Sequence, residues 1–373
     1  MDSSSSLPKD RKLGIDLLRM ISMFMVVILH ILGQGGILEN TDMLSTNYEI
    51  VWFLEIASLC AVNCYALISG YVSVDIEFKY YRIISLWLQV VFYTVIITMI
   101  FAIFVPNSVS IKAAINTVLP VVGKQYWYFT AYFAMFFFIP FLNHLINTLS
   151  QRNSLKLIIT IVIIFSVITA ISRTDIFNTM YGYSPLWLMI LYLVGGYIKK
   201  YSFGDKIKKK WYLVIYFCAI FVTWIGKFIL EYVTTKLVGE AKGSEFLVKY
   251  TAPLIFVAGV SLLLYFSKCD FKKNIMKKII KVFAPVSFSV YLIHLHPLVK
   301  VHIIGKSFQT FYKFNSIKLF FAVVTTAVII YVFCSLIDLI RYNIFKRINI
   351  GKFSQSIEKK IGKILERLTK RIA

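Results

Sequence analysis

Three ionisable residues stand inside one apolar run. Asp16, Arg19 and His30 lie in GIDLLRMISMFMVVILHILGQ, residues 14–34. A charge in hydrocarbon is costly and is seldom kept without a cavity or a partner. Arg19 and His30 are eleven residues apart. At about 100° per residue this is three turns plus roughly 20°, so the two share one helix face, separated by about 16 Å along the axis. Asp16 precedes Arg19 by three residues and can pair with it one turn away. Arginine is a permanent cation whose forked donors suit phosphate. Histidine is the side chain best suited to take a proton near neutral pH. One face therefore offers an anion site at one depth and a base at another. The competing reading is a packed, hydrogen-bonded helix core.

The elements that position these residues are membrane spans. The chain has 373 residues, is 58% hydrophobic and has a mean hydropathy of +0.74. Apolar runs of about 20 residues recur along it, each long enough to cross a bilayer. The expected fold class is an all-α integral membrane protein with about ten transmembrane helices, near 14–34, 51–73, 83–105, 126–145, 155–172, 185–198, 211–231, 250–266, 283–301 and 317–340. The first run is too long and too charged for a cleavable signal. The net charge of +23 does not call for nucleic acid, because the basic residues sit in short loops between spans. With ten spans, roughly 29 Lys and Arg fall on one side against about 8 on the other. That side, carrying Lys9, Arg11, KKYSFGDKIKKK (199–210) and the tail, is cytoplasmic, so both termini are expected there. The chain divides into a cytoplasmic N-terminal tail (1–13), a ten-helix membrane domain (14–340) and a basic amphipathic cytoplasmic tail (341–373). In that tail Ile357, Ile361, Ile364, Leu365, Leu368 and Ile372 recur at helical spacing, which suits a helix lying on anionic membrane lipids. Cys60, Cys64, Cys218, Cys269 and Cys334 form no CxxC, and His294 and His296 lack a third ligand, so no metal site is expected. Lys227 and Glu231 are one turn apart and can pair.

IDLLR followed by His30 resembles the first helix of the membrane-bound acyltransferase family 3, whose signature is Ile-Asp-x-x-Arg and a His eleven residues after the Arg. LISGYVS (67–73), QYWYFTAYFAMFFFIPFL (125–142) and SFSVYLIHLHPL (287–298) are similar to later elements of that family, in the same order. The resemblance implies an acyltransferase, transferring groups other than aminoacyl. It would pass an acyl group, in the first place acetyl, from cytoplasmic acyl-CoA to a hydroxyl of a cell-surface or lipid-linked glycan. Acyl-CoA is then a donor substrate, and no bound cofactor is expected. The implied acceptors are capsule, exopolysaccharide, O-antigen or peptidoglycan, and the implied location is a bacterial cell membrane. His30 would act as general base or proton relay.

The resemblance extends to site residues. It implies that Arg19 and Arg82 face the donor's phosphates. Lys79 of KYYR (79–82) stands where the family has a first arginine, and it offers a point charge in place of a fork. Positive-inside anchoring is the alternative for both Lys79 and Arg82. Ser69, ahead of Gly70, is placed with the donor site, although small residues there equally suit helix packing. Glu55, in VWFLEIASLC, lies at a depth near that of His30 and is expected to orient the imidazole. An interface-facing glutamate is the alternative. Asp16 and His294 are expected to give structural support. Many family members carry an extracytoplasmic hydrolase-like domain. None is recognised here, so transfer would be direct or would use a separate extracytoplasmic partner. The rival function is a transporter or flippase for a glycan or lipid-linked sugar, with the same residues lining its path.

Overall fold

The computed structural model describes residues 12–372, and all regular elements among them are helical. Lys9 and Arg11 lie outside the described residues. The first span is α1 (Leu13–Leu32), unbroken by glycine after its first turn and closed by Gly33, whose N–H donates to the carbonyl of Leu29. The second is two helices in line, α2 (Thr46–Leu59) and α3 (Ala61–Ser73), meeting at Cys60. Then come α4 (Tyr81–Phe104), the short α5 (Ile111–Val118), α6 (Trp127–Thr148), and α7 (Gln151–Val162), which runs through a π-helical stretch into α8 (Thr169–Ser172). α9 (Pro185–Lys200), α10 (Lys209–Val238) and α11 (Pro253–Ser267) follow. The last part holds α12 (Asn274–Phe283), α13 (Ser287–His294), α14 (Pro297–Val299), α15 (Ser316–Arg347) and α16 (Ile350–Ile372).

Eight helical stretches among the described residues are long and apolar enough to span a membrane, or nine if the bent pair Asn274–His294 and Pro297–Lys313 counts as one. Ten spans were expected, and two segments account for the difference. The stretch at 185–198 becomes α9, whose 16 residues fall short of the roughly 20 a full crossing needs. It is nevertheless buried along most of its length. The stretch at 283–301 is bent by 59°. The cause is Pro297, which has no N–H to offer and forces His296 out of helical geometry, to φ −51°, ψ 134°.

α1 is at the centre, packed against α2, α3, α11, α12, α13 and α15. The outer faces of α4, α7, α10 and α15 carry exposed apolar side chains such as Phe104, Ile159, Phe221 and Phe333, as lipid contact requires. The tightest crossing is between α3 and α9. A Cβ on Gly70 would sit 1.9 Å from the carbonyl oxygen of Tyr192, and one on Gly195 would sit 2.0 Å from that of Leu67. Two glycines let these backbones touch, which is how helices gain contact where lipid removes the hydrophobic drive. Near the start of α2, Lys227 and Glu231 form a buried ion pair on α10 that Tyr48 and Ser244 also engage. The amphipathic α16 lies along α4, joined by Ser354 to Ser85 at 2.9 Å and by Glu358 accepting from the Tyr80 N–H at 2.6 Å.

Candidate active site

α1 carries His30 to one end of the bundle, and the break after α13 brings His294 beside it. His30 Nδ1 and His294 Nε2 are 2.9 Å apart. His294 Nδ1 lies 2.5 Å from the carbonyl oxygen of Val290. A carbonyl only accepts, so His294 Nδ1 must hold a proton. In a neutral ring its Nε2 is then the acceptor, and His30 Nδ1 must donate to it. The remaining nitrogen, His30 Nε2, is left with its lone pair, and no described residue hydrogen-bonds to it. His294 is 2% exposed, so it is held within the bundle, while His30 is half-buried.

His30 lies at the junction of two cavities. The larger, about 780 Å³, opens at this end of the bundle and is lined by His30, Glu55, Gln125, Trp127 and Tyr250, among others. The smaller, about 30 Å³, is apolar and is bounded by His30, Met23, Tyr65, Tyr128 and Phe288. Leu29, His30, Trp127, Tyr250 and Tyr291 belong to both walls. The narrow cavity runs beside α1 between His30 and Met23, and Tyr65 in its wall donates to the Arg19 carbonyl at 2.9 Å. The Tyr128 hydroxyl is buried there with no hydrogen-bond partner among the described residues. A lone buried hydroxyl costs about 1–3 kcal/mol, which a group accepting from it in this cavity would offset.

At the other depth, Arg19 Nη1 donates to Asp16 Oδ1 at 2.8 Å, the i, i+3 pair that the spacing allows. Arg82 on α4 and Tyr132 on α6 line one small pocket, while the Ser69 hydroxyl donates to the Tyr65 carbonyl at 3.0 Å. Lys79 is not with them: it pairs with Glu77 at the surface. Arg82 also lines a cavity of about 450 Å³ with Ser85, Gln89, Arg341 and Lys346. Gly70, beside Ser69, meets the backbone of α9 as described above. Glu55 lines the large cavity with His30, and its Oε2 has no hydrogen-bond partner among the described residues. The hydrogen bond found on His30 is with His294, at Nδ1.

Some residues escaped the sequence reading. Tyr128 lies in the aromatic run 125–142, where no local signal separates it from its neighbours. Asp338 and Arg341 were legible in principle, since they repeat the i, i+3 pattern of Asp16 and Arg19. Arg341 grips Asp338 through Nε at 2.7 Å and Nη2 at 2.6 Å, and Tyr93 donates to the same carboxylate at 2.5 Å. A family model described as an acyltransferase domain matches residues 12–337. Comparison with curated proteins and with solved structures gives no match.

Proposed function

This chain belongs to the membrane-bound acyltransferase family 3, and on that premise we propose that it moves a short acyl group, acetyl in the first place, from cytoplasmic acyl-CoA to a hydroxyl of a cell-surface or lipid-linked glycan. The observation that carries this reading is His30 at the junction of a wide and a narrow cavity, with Nε2 unoccupied. The acceptor enters the wide cavity. The thioester reaches the narrow one from the Arg19 end, and a space of about 30 Å³ favours an acyl group of few carbons.

The acceptor hydroxyl gives its proton to His30 Nε2 while its oxygen attacks the thioester carbon. Charge builds on the carbonyl oxygen, where the Tyr128 hydroxyl is free to donate. The carbon–sulfur bond then breaks, the coenzyme thiolate leaves, and the proton on His30 returns to the sulfur. The products are the ester and free coenzyme A. His294 holds the imidazole in the tautomer this needs and shares the charge it gains. Glu55 is open to hydrogen-bond an acceptor hydroxyl. At the donor end Arg19 and Arg82 meet phosphate oxygens, and the cavity beside Arg82, Arg341 and Lys346 adds room for the rest of the nucleotide.

The test uses full-length protein in proteoliposomes with radiolabelled acetyl-CoA on one side and glycan on the other. Label is expected in the glycan, and a deletion strain is expected to lose O-acetyl groups from a surface polymer. Glycan movement without labelling would overturn the reading in favour of a transport path.

A further inference from the structure

The wide cavity carries more than a base. Lys124, Lys249 and Lys300 line it, and Glu55 is its only acidic side chain among the described residues. None of the three lysines has a carboxylate partner among the described ion pairs. They come from three separate parts of the chain: the loop before α6, the turn before α11 and the π-helical turn after α14. Lys249 sits 5.0 Å from the ring of Tyr181. The wall between them is aromatic. Trp127 lies 4.4 Å from Tyr183 and 5.9 Å from Tyr250, and Tyr183 lies 4.9 Å from Tyr250, all between ring centroids. Cations gathered around a low-dielectric cleft focus a positive potential into it and raise the local concentration of anions. The rings offer flat apolar faces with polar edges, a surface that suits a sugar ring.

We propose that the acceptor bound in the His30 cavity is an anionic saccharide, held by Lys124, Lys249 and Lys300 through a carboxylate or phosphate group while Trp127, Tyr183 and Tyr250 receive its sugar faces. The inference rests on the acyltransferase reading, because it names the class of acceptor for that same site. Lysine suits it better than a bidentate arginine would, since three mobile ammonium groups accept anions at varied positions along a polymer.

Binding to full-length protein in nanodiscs tests the proposal at 50 and 500 mM salt. The probes are a galacturonic acid oligomer, the matching neutral galactose oligomer, and a neutral sugar on a polyprenyl diphosphate. At low salt an anionic probe is expected to bind about tenfold tighter than the neutral oligomer, as three part-exposed ion pairs would give. The preference is expected to shrink at high salt and to vanish in K124Q/K249Q/K300Q, with the affinity for acetyl-CoA retained as the sign of an intact fold. Preference for the galacturonate alone places the anion on the sugar, and preference for the diphosphate alone places it on the carrier. Equal binding of all probes, no binding of either anionic probe, or a preference that survives the triple substitution would overturn the inference. The underlying reading fails separately: a protein that acetylates neutral glycan in a His30-dependent way keeps the proposed function and loses only the anionic acceptor.

Discussion

His30 and Tyr128 face the same small cavity with opposite needs. One presents a lone pair, the other a hydroxyl with no acceptor among the described residues. Tyr128→Phe removes the lone hydroxyl, and about 1–3 kcal/mol of buried polar cost goes with it. Its melting temperature is expected to hold or rise, while kcat for acyl transfer falls about 10–100-fold. A purely structural Tyr128 would show neither change. His294→Ala is expected to lower kcat by about 100-fold with the KM for acyl-CoA unchanged, because the donor binds at the other depth. His294→Gln restores an acceptor towards His30 and is expected to recover part of the loss. Equal effects on KM and kcat would show that His294 only supports the fold. The i, i+3 pair of Asp16 and Arg19 was legible from spacing alone. The contact of His30 with His294 was not, since 264 residues separate them and only the packing of α13 on α1 brings them together.

Helices were legible where one physical rule dominated. α1 is an unbroken apolar run, and its limits differ from the expected 14–34 by one residue at the near end and two at the far end. α9 was counted as a span because it is apolar, yet its 16 residues are buried by neighbours and so need not match the bilayer. The bend after α13 follows from Pro297, a signal present in the sequence whose direction only tertiary packing fixes. α10 and α15 run beyond their expected ends, to Val238 and Arg347, and each holds an ion pair within its length: Lys227 with Glu231, and Arg341 with Asp338. The glycines separate by element in the same way. Gly70→Ala would drive a Cβ into the α9 backbone, 1.9 Å from an oxygen. It is expected to destabilise by roughly 1–3 kcal/mol or more, as overpacking does. Gly362→Ala on α16 meets nothing within 4 Å and is expected to leave stability unchanged or improve it by up to about 1 kcal/mol. Thermal unfolding of the purified variants in detergent checks both.

At the scale of the whole molecule the bundle has two chemically distinct ends. His30, Glu55 and Lys124 meet at one. Arg82, Arg341 and Lys346 meet at the other, with α16 laid across α4 beside them. On the proposed topology the second end is cytoplasmic, as the charge bias predicts. In a background with the five native cysteines replaced, Lys124→Cys is expected to react with an impermeant thiol reagent in intact cells. Lys208→Cys is expected to react only after permeabilisation, and the reverse pattern would invert the topology. On the proposed mechanism the donor enters on one side and the acceptor on the other, with His30 where the two cavities join. The most direct measurement is therefore acetyl transfer from radiolabelled acetyl-CoA to glycan by intact His30→Ala protein, compared with wild type at equal acetyl-CoA occupancy. The expected result is a loss of at least about 100-fold in kcat with acetyl-CoA still bound; full transfer by the folded variant would contradict a catalytic His30.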